Sequence, residues 1–424
     1  MKKSRIARSS VAVESPTLRH LPIVDLLVDT KTELFELMVR SGLHVLDALL
    51  EEDRTALCGA RYVHQPARTA SRAGTVPSEV VLGGRKVAVQ RPRVRANGRE
   101  VPLPTFQTLA QTDPLNRRVV EQMLVGVATR RYARSLEPVP TGVVSRGTSK
   151  SSVSRRFIAK TTAQLRAWQS APLDGLDLVA LLLDGVHIGE HCLIVALGIA
   201  ADGQKHALGV WEGATENATV CQSLLANLQS RGLRTDRSVL VILDGALALH
   251  KATRAVFGEV ALIQRCQVHK LRNILDHLPE RQRPWVQAIV RRAYQATDVK
   301  TATRLLTDLA KRLDHEYPSA AGSVREGLDE TLTVLTLQLS TRLQRSLATT
   351  NAAESLLSRT RHVTRNVKRW RGGQMMVRWV AAGVLEAVKG FRRLKGHADM
   401  PRLVAALRGR DQRLGLGVSV ADVA

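Results

Sequence analysis

Short apolar runs divide the middle of the chain into predicted strands and helices. Residues 177–188 form a β-favouring apolar run, and residues 191–213 form two more such runs joined by a turn. An amphipathic stretch at 217–233 has helical spacing, and the apolar runs 238–243 and 260–266 flank a second, shorter helical stretch. The order strand, strand, strand, helix, strand, helix, strand predicts an α/β domain with the ribonuclease-H-like layout.

The chain before this region is predicted to be mainly helical, with one small β-hairpin. Residues 22–57 carry apolar positions at three-to-four spacing and predict a long helix, whereas the polar stretch 60–78 predicts a loop. Residues 79–95 alternate apolar and polar positions around a Gly-Gly pair. This pattern predicts two antiparallel strands whose regular pairing ends at Pro92.

Two further helical stretches lie between the hairpin and the predicted sheet. Residues 114–137 predict a helix that a proline-rich segment ends, and residues 145–168 place Ser and Thr caps ahead of a basic helix. A small helix, a turn and a basic second helix would suit helix-turn-helix docking on DNA, although many solvated helices share this pattern.

Two of the predicted strands run into the same dipeptide, Asp-Gly. Asp184 lies at the C-terminal side of the first strand and Asp244 at the C-terminal side of the fourth. These strands are neighbours in the predicted layout, so both carboxylates would emerge at one edge of the sheet. A divalent cation would relieve their repulsion, and Mg²⁺ prefers such hard oxygen ligands. The alternative is that each Asp-Gly pair only makes a turn.

A third carboxylate, Glu354, opens a predicted helix that should pack back on the sheet. Two Mg²⁺ ions bound by three carboxylates would activate the attacking oxygen and stabilise the leaving one, and Mn²⁺ is expected to substitute. A local interpretation competes with this one, because Asn351 and Glu354 have the spacing of a capping box. The two roles are compatible.

Cys266 and His269 stand in a C-x-x-H arrangement directly after the fifth predicted strand. Zinc needs four ligands and no partner pair is evident, so a buried thiol beside a polar histidine is favoured over a zinc site. A role for His269 in the site stays open. The chain has neither a phosphate-binding G-x-x-x-x-G-K-[ST] loop nor a G-x-S-x-G nucleophile motif, so nucleotide hydrolysis and serine hydrolase chemistry lack support.

The net charge of +25 is concentrated in two regions around a neutral middle. Residues 54–170 carry 21 Lys/Arg against 5 Asp/Glu, residues 355–424 carry 15 against 4, and residues 171–354 carry 20 of each. This distribution suits a protein that binds nucleic acid, and the 3% aromatic content favours duplex phosphates over stacked single strands. The residues expected to contact DNA are Arg85, Lys86, Arg91, Arg93, Lys150, Arg155, Arg156, Arg361, Arg365, Lys368 and Arg369.

Cysteine usage and apolar run lengths indicate a cytoplasmic protein. Four cysteines in 424 residues do not form a disulfide framework and fit a reducing compartment. The longest apolar run has about ten residues, half of what a membrane-spanning helix needs. No apolar segment follows the basic start, so a secretory signal is not expected.

Several segments, in their order along the chain, resemble the Mutator-type transposases of bacterial insertion sequences. They are LLLDG, LVILDGALALHKA, QRCQVHKLRNILDHLP and TTNAAESLLSRTRHVTRNVKRWRGGQMMVRWV, and the tail AAGVLEAVKGFRRLKGHADMPRLVAAL is similar as well. The resemblance covers about residues 80 to 410. Its distinctive parts are the C-x-x-H block and the T-N-x-x-E block. Other members often have different neighbours at the first Asp, which leaves open whether His187 matters.

The resemblance implies a DDE-class transposase, with Asp184, Asp244 and Glu354 as the metal-binding triad and Cys266 and His269 as its support. Its core would be ribonuclease-H-like, and an all-helical insertion would lie between the second Asp and the Glu, which are 110 positions apart. The implied partners are double-stranded DNA, both terminal inverted repeats and target, and at least one further copy of the chain when two element ends are joined. The basic region 85–160 would recognise the repeats.

The resulting domain prediction has five parts. They are an N-terminal helical region (1–78), a basic DNA-binding region (79–170), the first part of the core (171–280), the helical insertion (281–348), and the core completion with basic C-terminal helices (349–424). Two other functions share these features. An inactive relative would occupy the repeats as a repressor, and a nuclease on the same fold would cut DNA without joining it. The presence of all three carboxylates favours the enzyme over the repressor.

Overall fold

The computed structural model of the protein describes most of the chain and divides it into two compact units. The described residues are 34–63, 68–111, 114–136, 139–188, 191–213, 218–365, 367 and 369–416. Lys368 and the first twelve residues of the helix predicted at 22–57 lie outside them. The first unit comprises Met1–Val119 and Thr129–Val153, and the second comprises Val120–Ala128 and Ser154–Ala424.

The first unit is built from a long helix and a four-stranded antiparallel sheet. Its elements are α1 (Leu34–Cys58), β1 (Ser71–Leu82), β2 (Arg85–Ala96), β3 (Arg99–Val101), α2 (Pro104–Gln111), the start of α3 (Pro114–Leu124) and β4 (Ser145–Arg146). Leu46 and Leu50 of α1 pack against Val80, Val94 and Leu103, because alternate positions of the strands face the helix. This packing gives the unit its own hydrophobic core.

The hairpin is present but longer than predicted. Its two-residue turn, Gly83-Gly84, has positive φ at both positions, as a tight hairpin turn requires. The strand β1 starts at Ser71, so the prediction of a loop over residues 60–78 is wrong for its last eight positions. Four of these eight residues are exposed and four are half-buried, so they show no clear apolar alternation, and they form a strand by pairing with β2. β1 also crosses the domain boundary predicted at residue 78. The division of the whole chain into five parts stays a prediction.

Pro92 lies within β2, and the regular register with β1 ends there, as the sequence predicted, although pairing continues beyond an irregularity. It pairs with Thr75, where the register between β1 and β2 shifts after Arg72. Gly74, with a φ of +76°, lies in this irregularity. A proline lacks the N–H that a regular ladder needs, and a bulge is one of the places where a strand tolerates it.

The second unit contains a mixed five-stranded sheet in the order β7-β6-β5-β8-β9. The strands are β5 (Leu178–Ile188), β6 (His191–Ala200), β7 (Lys205–Gly213), β8 (Val239–Leu243) and β9 (Ala261–Arg265). β5, β6 and β7 pair antiparallel, whereas β8 pairs parallel with both β5 and β9. All five strands predicted from the apolar runs are therefore present, and the first and fourth are neighbours.

Helices cover both faces of this sheet, and further helices follow the fifth strand. They are α4 (Lys150–Ser170), α5 (Ala218–Ser230), α6 (Leu247–Phe257), α7 (Gln267–Asp276), α8 (Arg283–Tyr294), α9 (Val299–Leu313), α10 (Pro318–Arg325), α11 (Leu328–Thr331), α12 (Thr333–Thr336), α13 (Thr341–Leu347), α14 (Asn351–Thr364), α15 (Gly373–Val388) and α16 (Met400–Arg413). Residues 266–350, all of them described, contain helices and no strand, as the sequence predicted. No helix among the described residues combines the length and apolarity needed to cross a membrane.

Period-two alternation separates the two faces of the sheet. Leu181 and Leu183 pack with α5 and α6 on one face, in a cluster that includes Leu224 and Phe257. Ala180 and Leu182 pack with α14, α15 and α16 on the other. Because successive side chains of a strand point to opposite faces, even-numbered positions of β5 from Ala180 onward face the helix that carries Glu354.

Candidate active site

Asp184 and Asp244 occupy equivalent positions on two neighbouring parallel strands. Leu183 of β5 is paired with Leu243 of β8, and each aspartate is the next residue along its chain. Adjacent strands lie roughly 4.8 Å apart, so this register brings the two carboxylates to the same edge of the sheet. Asp184 is only 3% exposed. The sequence prediction that the two strands deliver their aspartates side by side is supported by this register.

The two Asp-Gly pairs differ in their local structure. β5 continues through Asp184 and Gly185 to Ile188, with Asp184 paired to Val195 of β6, so the turn interpretation is wrong for this pair. At the second pair β8 ends at Leu243, and an oxygen of Asp244 accepts a hydrogen bond from the N–H of Ala246 at 2.9 Å. The turn interpretation therefore holds for the second pair, in which Gly245 follows Asp244 with a φ of +109°.

The third carboxylate lies on the same face of the sheet. Asp184 follows Leu182 by two positions, and Leu182 packs in the same cluster as Leu356 of α14. Glu354 lies in the first turn of α14, and its side chain is 37% exposed. His187 follows Asp184 by three positions, an odd number, so it lies on the other face of β5, and its side chain is exposed.

The capping-box interpretation of Glu354 is wrong. Asn351 is the first residue of α14, and the N-cap position belongs to Thr350. The Thr350 side chain makes no capping hydrogen bond, and the N–H of Asn351 donates to the hydroxyl of Thr349 at 3.5 Å. The backbone N–H of Glu354 instead donates to the carbonyl oxygen of Thr350 at 3.0 Å. The carboxylate is therefore not used to satisfy the start of its own helix.

The C-x-x-H segment joins the end of β8 to the start of α14. The N–H of Cys266 donates to the carbonyl oxygen of Leu243 at 2.7 Å, and the N–H of Gln267 donates to the carbonyl oxygen of Ala348 at 2.9 Å. Cys266 is completely buried and His269 lies one helical turn further on, in α7. Two short backbone contacts thus hold the segment beside Asp244 and Glu354.

Cys266, His269, Thr350 and Glu354 form one hydrogen-bonded cluster. The hydroxyl of Thr350 lies 3.3 Å from an oxygen of Glu354 and 3.5 Å from both Nδ1 of His269 and Sγ of Cys266. Nε2 of His269 lies 3.5 Å from the same Glu354 oxygen. The possible ligand atoms of Cys266, His269 and Glu354 lie within 4.8 Å of one another, and among the described residues this group does not include either aspartate.

The electrostatics of the cluster favour a histidine cation beside the carboxylates. The pKa of His269 is raised to about 9, first by its hydrogen bond with Cys266 and then by the charges of Cys266, Asp184 and Glu354, although burial opposes this rise. Burial alone would raise the pKa of Cys266, but hydrogen bonds from His269 and Thr350 lower it on balance. A positive imidazolium at this position stabilises the ionised form of the neighbouring carboxylates.

Most of the hairpin cations predicted to bind DNA make ion pairs within the hairpin itself. Arg91 and Arg93 contact the two carboxylate oxygens of Glu100, at 2.7 and 3.0 Å, and Lys86 lies 3.2 Å from Glu79. Sequence reasoning missed both glutamates, because the pairing became visible only with the strand register. Arg85, the fourth predicted contact in the hairpin, is half-buried.

The other predicted DNA contacts lie on helices and on the segment after α14. Lys150 and Arg155 of α4 are exposed and Arg156 is half-buried. Beyond Glu354, the predicted contacts Arg361, Arg365 and Arg369 are exposed, and Arg365 also lies 3.4 Å from His362. Lys368 lies outside the described residues. Exposure makes these guanidinium and ammonium groups available to phosphates, which is the contact expected of them.

Comparison with known proteins identifies the family. The family model described as "Transposase, Mutator family" matches residues 24–393. A transposase for insertion sequence element IS6120 of Mycolicibacterium smegmatis is 32% identical over 228 residues, which cover 52% of this chain and 69% of that protein. A transposase for element IS406 of Burkholderia multivorans is 30% identical over 74% of this chain and 80% of its own length. A transposase for element ISRM5 of Rhizobium meliloti is 25% identical over 90% of this chain and 94% of its own length. The chain belongs to the Mutator family of insertion-sequence transposases.

Proposed function

We propose that this chain moves its insertion sequence by a DDE mechanism in which Asp184, Asp244 and Glu354 bind two metal ions. The register Leu183 to Leu243 carries this proposal, because it delivers two aspartates together on the sheet face that α14 covers with Glu354. The sheet order and the single antiparallel-to-parallel change at β5 support a ribonuclease-H-like core. The helices between β9 and α14 would then be the insertion.

The donor groups of the site fit magnesium. Mg²⁺ takes carboxylate oxygens and keeps sites open for water and phosphate, and the three carboxylates offer such oxygens on one face. The thiol of Cys266 is a soft donor that magnesium does not favour, so Cys266 and His269 are proposed as support for the triad and not as ligands. When bound, two Mg²⁺ ions, or Mn²⁺ in their place, would supply Lewis-acid activation of the attacking and leaving oxygens of DNA phosphates.

Duplex DNA is the proposed partner of the basic surfaces. The exposed cations of α4 and of the segment after α14 offer phosphate contacts, and the excess of positive charge in residues 54–170 and 355–424 strengthens the attraction of a polyanion. Recognition of terminal inverted repeats is proposed for the region 85–160. Joining two element ends would require at least two copies of the chain at work.

A matched pair of aspartate variants tests the metal assignment. The substrates are duplex fragments that carry the two ends of the element, and the measurements are end binding, Mg²⁺-dependent cleavage and formation of joined products. We expect Asp184→Asn to abolish cleavage and joining, because the change removes one proposed metal ligand. End binding should stay within about threefold of wild type, because the positive surface is unchanged. Asp236→Asn makes the same chemical change at an exposed position before β8 and should behave like wild type.

The same assay separates the competing functions. Strand transfer by the Asp184→Asn variant would refute the metal-ligand assignment. A wild-type protein that nicks the ends without ever forming a joined product would be a nuclease. A wild-type protein that binds the ends but leaves them uncut at every Mg²⁺ or Mn²⁺ concentration would be a repressor.

A further inference from the structure

Thr350 lies where the C-x-x-H segment meets the helix that carries Glu354. Its side chain is fully buried, and it holds the N-cap position of α14. Threonine hydroxyls at this position commonly accept a hydrogen bond from the first turn of the helix. The described structure shows no such bond here. The hydroxyl points instead to Glu354, His269 and Cys266, at 3.3 to 3.5 Å.

The chemistry of these partners fixes the direction of the hydrogen bonds. An ionised carboxylate only accepts, so the single hydroxyl hydrogen of Thr350 must be donated for the contact with Glu354 to be a hydrogen bond. Sγ of Cys266 has other donors, His269 and the backbone N–H of Thr350 at 3.4 Å. The hydroxyl hydrogen of Thr350 is therefore available to Glu354, and Nδ1 of His269 lies 3.5 Å from the hydroxyl oxygen.

This arrangement restrains a side chain that would otherwise be mobile. A glutamate rotates about three side-chain bonds, and Glu354 is partly exposed to solvent. The hydroxyl of Thr350 and Nε2 of His269 both approach the same oxygen, Oε1, so among the described residues of this cluster none is bonded to the second carboxylate oxygen. The backbone of Thr350 is itself anchored, because its N–H is bonded to the completely buried Cys266.

We propose that Thr350 is a positioning residue for Glu354, and that its hydroxyl holds the carboxylate in the orientation in which it binds a divalent cation. The proposal rests on the metal-binding role of Glu354 proposed above. Hydrogen bonds to a metal-binding carboxylate set its orientation, and loss of such a contact typically weakens metal binding or activity by about 10- to 100-fold. Thr350 would act through Glu354 without touching DNA or the cation.

The test compares three threonine variants of the full-length protein. Thr350→Val keeps the shape of the side chain and removes the hydroxyl, whereas Thr350→Ser keeps the hydroxyl and removes the methyl group. Thr360→Val is the matched control, because Thr360 is equally buried in the same helix and its hydroxyl donates only to the carbonyl oxygen of Leu356, at 3.0 Å. Thermal melts establish that each variant is folded.

Binding of Mn²⁺, followed by electron paramagnetic resonance without DNA, is the first measurement, and the Mg²⁺ dependence of end cleavage is the second. We expect Thr350→Val to weaken Mn²⁺ binding by about 10- to 100-fold and to raise the half-saturating Mg²⁺ concentration similarly. Thr350→Ser should stay within about threefold of wild type, and Thr360→Val should match wild type.

Glu354→Gln separates a failure of this inference from a failure of the proposed function. If Glu354→Gln weakens Mn²⁺ binding while Thr350→Val does not, the positioning role is wrong and the metal site stands. Equal losses in Thr350→Val and Thr350→Ser would also overturn it, since the hydroxyl would then not be the group that matters. If Glu354→Gln leaves Mn²⁺ binding unchanged, the metal role of Glu354 and the role of Thr350 both fail.

Discussion

The backbone N–H of Cys266 donates a hydrogen bond to the carbonyl oxygen of Leu243, at 2.7 Å, and Leu243 is the residue before Asp244. The thiol of the same cysteine accepts the N–H of Thr350 at the start of α14. One buried residue thereby connects the strand end that carries the second aspartate with the helix that carries the glutamate. The strand end and the helix are thus connected through one backbone hydrogen bond and one hydrogen bond to the thiol, and a change of side chain at Cys266 would release the second.

Replacing this thiol should therefore cost both stability and activity. Cys266→Ala leaves the buried N–H of Thr350 without an acceptor, which typically costs about 1–3 kcal/mol of unfolding free energy. Cys266→Ser restores an acceptor oxygen and should lose less. Urea unfolding of both variants measures the difference, and cleavage assays should rank them in the same order. A Cys266→Ala protein as stable as wild type would show that this hydrogen bond contributes little.

Gly327 is predicted to be intolerant of a side chain. Its φ of +59° disfavours any other residue, and an added Cβ would lie 2.7 Å from Cδ of Arg265 and still closer to Nη1. Arg265 is nearly buried and cannot easily move, because it donates to the carbonyl oxygens of Glu326 and Gly245 at 3.2 and 3.1 Å. We expect Gly327→Ala to lower the unfolding free energy by about 1–3 kcal/mol.

The control for that change lies five residues earlier. Gly322 is inside the helix Pro318–Arg325, and an added Cβ would meet nothing within 4 Å. Gly322→Ala should therefore stabilise the protein by about 0.5–1 kcal/mol. Because Arg265 also contacts the carbonyl oxygen next to Asp244, Gly327→Ala should reduce end cleavage more than its stability loss explains. Equal melting temperatures for the two variants would contradict this account.

The sheet and its two aspartates could be predicted from the sequence because both depend on patterns within single short segments. Apolar runs with period two identify strands without any knowledge of their partners, and the position of each aspartate within its run then follows directly. The strand predicted over residues 177–188 already runs past Asp184, and the pairing of Gly185 with Ile194 in another strand agrees with it. The alternative that Asp184 and Gly185 form a turn is wrong, because both residues lie inside the strand.

Contacts between distant segments account for the rest of what was missed. Thr350 and Cys266 are 84 positions apart, and only folding brings them together. Asn351 and Glu354 have the spacing of a capping box, so the pattern favoured a capping role at Asn351. The hairpin cations show the same limit. A count of charges does not show that Arg91 and Arg93 are paired. The β2–β3 register brings Glu100 within ion-pair distance of both.

The stability of the protein should depend on pH through Lys270. This lysine is only 4% exposed, and its pKa is lowered to about 8, mainly by burial, with the charge of Arg265 acting in the same direction and Glu326 opposing it. Lysine in an unfolded chain titrates near 10.4. Between these two values the unfolded chain binds more protons than the folded one, so the unfolding free energy rises with pH and falls as the pH drops through 8.

Removing the lysine should remove this dependence. Between about pH 7.5 and pH 9.5, we expect the wild-type protein to gain about 2 kcal/mol of unfolding free energy relative to Lys270→Met. Urea unfolding at both pH values measures the gain. Lys251→Met, at an exposed position of α6, removes the same charge and should keep the wild-type dependence. An identical pH dependence in Lys270→Met and wild type would show that folding does not lower the pKa of Lys270.

Glu100 should limit the affinity of the hairpin for DNA. Its carboxylate is bonded to Arg91 and Arg93, and these bonds lower its pKa, so both guanidinium groups are partly neutralised at neutral pH. Glu100→Gln removes one negative charge and releases two predicted phosphate contacts. We expect duplex binding to tighten by about three- to tenfold at low salt, and the slope of log affinity against log salt to steepen by about one to two.

The salt slope distinguishes released contacts from a mere change in net charge. Glu280→Gln makes the same charge change at an exposed position in the second unit, where no predicted DNA contact is released. Charges more than about 10 Å from the duplex are largely screened at 0.1 M salt, so this control should alter affinity little and leave the slope unchanged. If the two variants bind alike, Arg91 and Arg93 do not meet phosphates, and recognition must depend on the exposed cations of Lys150–Ser170 and of the segment after α14.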